Sequence, residues 1–190
     1  MSNEYKDWYN SFTERQKEIY EICMKYPFLI PRCIDGEPDE EFEYGYLELE
    51  IPRGWRNLFF QMCDDLKLAL EKENSLYDFY FLQVKEKYNR LECYPNKASE
   101  EVQLIIDKYS AMASYICTIC GRPATYETRG YIAAFCDNCW KDLARHERGE
   151  WIIFKSYFKI VSFQKGTHSE KTISFEEEWN RYIKENGYAV

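Results

Sequence analysis

The sequence predicts an α+β fold: a small mixed sheet or set of hairpins packed with four to five helices, carrying an inserted four-cysteine ribbon. Three observations support this. Apolar residues recur at helical spacing in several segments, and short β-rich runs lie between them without regular βαβ alternation. Cys117 and Cys120 form one CxxC, and Cys136 and Cys139 form a second after fifteen intervening residues. A chain of 190 residues accommodates one domain with a small module. The expected organisation is an α+β region over residues 1–114, the ribbon over 115–148, and a strand and helix over 149–190 that pack back on the core.

In residues 11–26 the positions Phe12, Ile19, Tyr20, Cys23 and Tyr26 follow helical spacing, and Ser11 with Glu14 has the form of a capping box. Pro27 ends this helix, and the two prolines of YPFLIPR predict extended chain. Asp35-Gly36 signals a turn, and residues 42–51 read as a strand bulged near Gly45, where the apolar phase shifts. Pro52 and Gly54 punctuate the entry to a second helix from 55 to about 73, with Trp55, Leu58, Phe59, Met62, Leu66 and Ala69 on a core stripe. Residues 76–87 predict a strand that pairs with 91–94 across a turn at Asn89-Arg90, and Pro95 closes the hairpin. A third helix over 99–113 turns Val102, Ile105, Ile106, Tyr109 and Met112 inward. Beyond the cysteines, residues 140–148 predict a short helix and 151–163 a strand. Ser174 with Glu177 then caps a last helix bearing Phe175, Trp179, Tyr182 and Ile183.

The cysteine spacing predicts a metal centre. Each CxxC makes a tight knuckle presenting two sulfurs, and the residues between form a hairpin that brings the knuckles together. Tyr115 and Ile116 would begin its first strand, Gly121 would turn the chain out of the first knuckle, and Gly130 would lead into a returning strand at 131–135. Cys117, Cys120, Cys136 and Cys139 supply four thiolates for Zn2+, which closes the coordination shell; a catalytic zinc keeps a position open for water. Cys23, Cys33, Cys63 and Cys93 lack ligand spacing and read as buried reduced thiols.

The formal charge is −8, and it is local: between Cys33 and Pro52 lie Asp35, Glu37, Asp39, Glu40, Glu41, Glu43, Glu48 and Glu50 with no base. Setting those eight aside leaves 25 acids against 25 Lys and Arg. An acidic chain is a poor non-specific binder of nucleic acid, so the segment, with Asp35, Glu37, Asp39, Glu40, Glu41 and Glu43 as candidate contacts, suits a protein partner with a basic surface. A solvated acidic loop without a partner is the plainer alternative. Neither a secretory leader nor an apolar run of the roughly 18 residues needed to span a membrane is visible, which makes a cytoplasmic protein the expectation.

Catalytic constellations are missing from the sequence. The histidines are His146, beside the ribbon, and His168, in QKGTHSEK, and neither has a placed nucleophile. There is no phosphate-binding glycine loop and no HExxH. A non-enzymatic protein is therefore expected.

The run Val84-Lys85-Glu86-Lys87-Tyr88-Asn89-Arg90-Leu91-Glu92-Cys93-Tyr94, with Pro52-Arg53-Gly54-Trp55 before it and the two CxxC pairs after it, resembles a widespread group of small phage and prophage zinc-ribbon proteins. That group shows a PxGW segment, a K-E-K-[FY]-G-G-L-R-[FY]-Y-like hairpin and then the ribbon. Here Asn89 and Arg90 stand for the hairpin glycines, and Glu92-Cys93 for the Arg-aromatic pair. The resemblance covers residues 52–140. It implies a phage-type accessory protein, a class that includes inhibitors of host defence such as anti-CRISPR proteins. The function expected on this basis is inhibition of a type II CRISPR effector nuclease by docking of the acidic segment on its basic nucleic-acid channel. The alternative is a nucleic-acid-binding ribbon acting through Arg122, Arg129, Lys141, Arg145 and Arg148. A metal-dependent enzyme is disfavoured by the closed ligand set.

Overall fold

The computed structural model describes residues 10–30, 32, 51–128, 132–146, 153–155 and 175–188. These form an α+β fold of five α-helices and two small antiparallel sheets. The acidic residues 35–50, with the predicted strand over 42–50, lie outside the described residues, as do Cys33, Gly130, His168 and most of the predicted strand over 151–163.

Helix α1 spans Glu14–Lys25 and opens with a capping box two residues later than the sequence pattern suggests: Thr13 accepts from the Gln16 amide, and the Gln16 side chain accepts from the Thr13 amide. Both Ser11-x-x-Glu14 and Thr13-x-x-Gln16 satisfy the local rule. The later start leaves Phe12 ahead of the cap, where it is buried edge-on against Tyr20 at 6.2 Å. After Tyr26 the chain does not stay extended: Pro27–Leu29 is a 3-10 turn. Proline's fixed φ suits a first helical turn, and this one drops Phe28 against Phe79 and Phe81.

A 3-10 turn at Arg53–Trp55 leads into helix α2, Arg56–Lys72. Its predicted stripe is the centre of the core: Trp55, Leu58, Phe59, Met62 and Leu66 are fully buried, joined by Cys63 and Leu70. Strands β1, Phe81–Lys87, and β2, Arg90–Pro95, form a hairpin. The strand starts later than expected because residues 74–79 spend their backbone bonds on turns, with the Asp78 and Phe79 amides both donating to Ser75. The hairpin turn is Tyr88-Asn89, one residue earlier than predicted; both have positive φ, 51° and 60°, which is the geometry that matches strand twist in a two-residue loop. Asparagine adopts it readily, and Asn89 is pinned by its amide to Glu86 and by its side chain to the Ser114 carbonyl. Helix α3, Glu100–Ala113, is capped by Ser99 and buries Val102, Ile106, Tyr109 and Met112, with Ile105 half-buried. It packs between α2 and the hairpin.

The second sheet is the ribbon's: β3, Tyr126–Thr128, lies between β4, Ala134–Phe135, and β5, Ile153–Lys155, all antiparallel. Helix α4, Asp137–His146, follows β4, and α5, Phe175–Glu185, buries Tyr182 and Ile183.

Candidate metal centre

The Sγ atoms of Cys117, Cys120, Cys136 and Cys139 all lie within 4.8 Å of one another, and those of Cys120 and Cys136 are 3.5 Å apart. Four sulfurs at about 2.3 Å from a tetrahedral ion sit about 3.8 Å from each other, so the cluster matches a four-thiolate cage and could hold a metal ion. The donor set is all soft sulfur, which favours a thiophilic ion over magnesium or calcium.

Each half is built differently. The first pair is a true knuckle. The Cys117 amide donates to the Arg122 carbonyl, the Gly121 amide to the Cys117 carbonyl, and Ile116 bridges Pro123 in place of the predicted strand. Gly121 takes φ +80°, the left-handed value the exit turn needs. The second pair opens a helix instead of preceding one: α4 begins at Asp137, so Cys139 sits in its first turn and Cys136 just before it, within reach of first-turn amides such as that of Cys139. Trp140 then covers the sheet, 5.9 Å from Tyr126 and 6.2 Å from Phe135.

The thiols perturb one another. Burial pushes Cys117 up to about 11 against the backbone amides that would favour its thiolate, and raises Cys139 as well. Burial also opposes ionisation of Cys136, but there the Cys139 amide and hydrogen bonds among the four sulfurs prevail, and its pKa is lowered. Four converging thiolates need a cation to share a site, and protons compete for the same lone pairs. Among the other thiols, Cys23 and Cys63 are buried as expected, whereas Cys93 is half-buried.

The core grips this knuckle through residues that sequence reading assigned to other roles. Gly54 reads as punctuation; in the fold, its amide donates to the Thr118 carbonyl at 2.9 Å. A Cβ at Gly54 would stand 2.1 Å from the Cys117 carbonyl oxygen and 2.7 Å from the Gly121 nitrogen, so the glycine is needed for close backbone approach. Trp55 is core packing as predicted, but its indole N–H also donates to the Ile116 carbonyl at 3.2 Å. The adjacency of glycine and tryptophan in the PRGW segment was the available signal.

Of the basic residues near the module, Arg122 and Lys141 are exposed; Arg129 and Arg148 lie outside the described residues, as do the side chains of Arg145 and His146. The structure therefore brings the four cysteines together and leaves Asp35, Glu37, Asp39, Glu40, Glu41 and Glu43 undescribed. No helix among the described residues is long and apolar enough to cross a membrane. Compared with family models, curated proteins and solved structures, the chain matches none.

Proposed function

We propose that this chain is a zinc-stabilised, non-enzymatic binding protein of phage type that inhibits a host defence nuclease, a type II CRISPR effector. The observation that carries the metal part is the convergence of four cysteine sulfurs within 4.8 Å, a complete donor set for zinc with no position left for a reacting water. The inhibitory part rests on the sequence: the PRGW, hairpin and CxxC resemblance, and an acidic segment that holds the whole formal net charge. Effector nucleases hold nucleic acid in positively charged channels, and the carboxylates of Asp35, Glu37, Asp39, Glu40, Glu41 and Glu43 would oppose its loading by occupying such a surface.

A second reading, a nucleic-acid-binding ribbon, draws on the exposure of Arg122 and Lys141 beside the cluster. One experiment separates the two. Effector cleavage is measured with wild-type protein and with a variant carrying Asp39→Asn, Glu40→Gln, Glu41→Gln and Glu43→Gln, each at low and high salt. Inhibition should weaken in the variant through a slower on-rate, and the difference should shrink at high salt, where the attraction is screened. Absence of inhibition by wild-type protein removes the effector from the proposal. Salt-dependent binding of single-stranded DNA or RNA, lost on Arg122→Gln with Lys141→Gln, favours the second reading.

A further inference from the structure

We infer that helix α5 is an outer clamp on the thiol cluster, so that metal binding and docking of this C-terminal helix are one coupled event; the inference rests on the metal reading above. Residues of α5 and of the turn that follows it hold the first knuckle. The buried Tyr182 hydroxyl donates to the Gly121 carbonyl at 2.7 Å, and the Tyr188 hydroxyl lies 3.4 Å from the Cys120 carbonyl. Trp179, one turn earlier, meets Tyr115 edge-on at 6.2 Å, just before the knuckle begins.

Neighbouring positions on α5 and just past its end hold the core. Arg181 Nη2 lies 2.9 Å from Asp65 Oδ2 and donates to the Tyr109 hydroxyl. Asn57 donates to Asn186 at 2.5 Å, and Gln61 donates to Glu185. Helix α5 and the turn after it thus link α2 to the backbone that carries Cys117 and Cys120, while Gly54 and Trp55 hold the same knuckle through bonds of their own.

The coupling follows from what fixes the acceptors. The directions of the Cys120 and Gly121 carbonyls depend on the knuckle conformation, and thiolates converging on one ion select that conformation. Without the ion the four sulfurs have no common ligand, the carbonyls are free to turn, and α5 loses its anchors on that side. Linkage is reciprocal: whatever favours docked α5 raises metal affinity by the same factor. Tyr182 and Tyr188 are positioning residues, since their hydroxyls bond the Gly121 and Cys120 carbonyls of the knuckle. Outer hydrogen-bond partners of metal ligands are typically worth about 10–100-fold in affinity, and a single neutral bond belongs at the low end.

The test uses the full chain with cobalt(II) as probe, whose thiolate absorption reports ligation by cysteine. Chelator competition gives its affinity, and hydrogen exchange follows residues 175–188 with and without metal. Cobalt should slow exchange in that helix, and Tyr182→Phe, which keeps the ring, should weaken cobalt about tenfold. Arg181→Gln, which removes the bonds to Asp65 and Tyr109 in the core, should weaken it too, which a purely local role for Tyr182 would not produce. Both variants should leave α2 and α3 protected, which shows that the core is folded. Helix exchange that ignores metal, or cobalt affinity unchanged in both variants, overturns the coupling while leaving the metal site intact. Absence of any cobalt–thiolate absorption in the wild type overturns the metal reading and the coupling with it.

Discussion

The helix–hairpin core and the ribbon stand next to each other in one chain and are held by different physics. Across residues 51–113 the buried side chains are large: Trp55, Phe59, Phe79, Phe81, Tyr109 and a row of Leu and Met interlock, with aromatic contacts such as Phe79–Phe81 at 5.2 Å. At about 25 cal/mol per Å2 of apolar surface removed from water, such side chains contribute roughly 1.5–3 kcal/mol each. The ribbon has two- and three-residue strands in β4 and β3, and among its described residues the fully buried apolar groups are mostly small, with Ile116, Ala133 and Ala134 among them. A segment so poor in apolar surface needs a staple, and its four sulfurs converge where a metal would provide one. On the proposed metal reading the ribbon borrows stability twice, from an ion held by its cysteines and from the core and helix that grip its first knuckle.

Removing the metal is the strongest way to break this comparison. Cys136→Ser should abolish stoichiometric zinc and unfold the ribbon, because structural zinc contributes on the order of 10 kcal/mol or more in small ribbon-like modules. Elemental analysis with hydrogen exchange checks it: protection should vanish over the ribbon and persist in α2 and α3. Tight zinc retained in that variant would remove Cys136 from the ligand set. Acidification should act in the same direction, since protons displace the metal from thiolates.

Two smaller changes sharpen the contrast. Leu66→Ala should cost about 2–5 kcal/mol of global stability, seen as a lower denaturation midpoint with metal present or absent. Gly54→Ala should cost about 1–3 kcal/mol as overpacking, or more where backbone cannot yield. Its damage should fall on the knuckle, because the added methyl meets the Cys117 carbonyl. Chelator competition should therefore show weaker zinc binding for Gly54→Ala and little change for Leu66→Ala.

An effect no larger than that of Gly54→Ala belongs to the Asp65 junction. Burial opposes ionisation of this carboxyl, but hydrogen bonding from Arg181 and the charge of Lys108, 3.1 Å away, more than offset it and lower its pKa below 3.8. The folded state therefore gains from Asp65 above that pH, and the gain is lost as pH falls through the lower folded value. Asp65→Asn should cost about 1–3 kcal/mol at neutral pH, the range for losing hydrogen bonds to a charged group, and should flatten the stability profile below pH 4. Denaturation midpoints of both proteins between pH 2.5 and about 6 measure it.

Much of this was written in short stretches of sequence. The core stripe of α2, the inward face of α3 and the spacing of the four cysteines are set by neighbours within a turn or a knuckle, and periodicity reports them directly. Local rules become ambiguous where two solutions fit: Ser11 and Thr13 both begin a capping box, and the fold uses the second, with Phe12 buried ahead of it. The Tyr88-Asn89 turn was likewise chosen by what its asparagine reaches, the end of α3, 25 residues away. Tertiary structure alone decided the rest. Tyr182 meets Gly121 across 61 residues, Arg181 meets Asp65 across 116, and Gly54 touches the knuckle because two backbones must approach closer than a Cβ allows. A glycine, a tyrosine and an aspartate carry no spacing signal of their own; their roles exist only once packing of the apolar faces has brought distant backbone together.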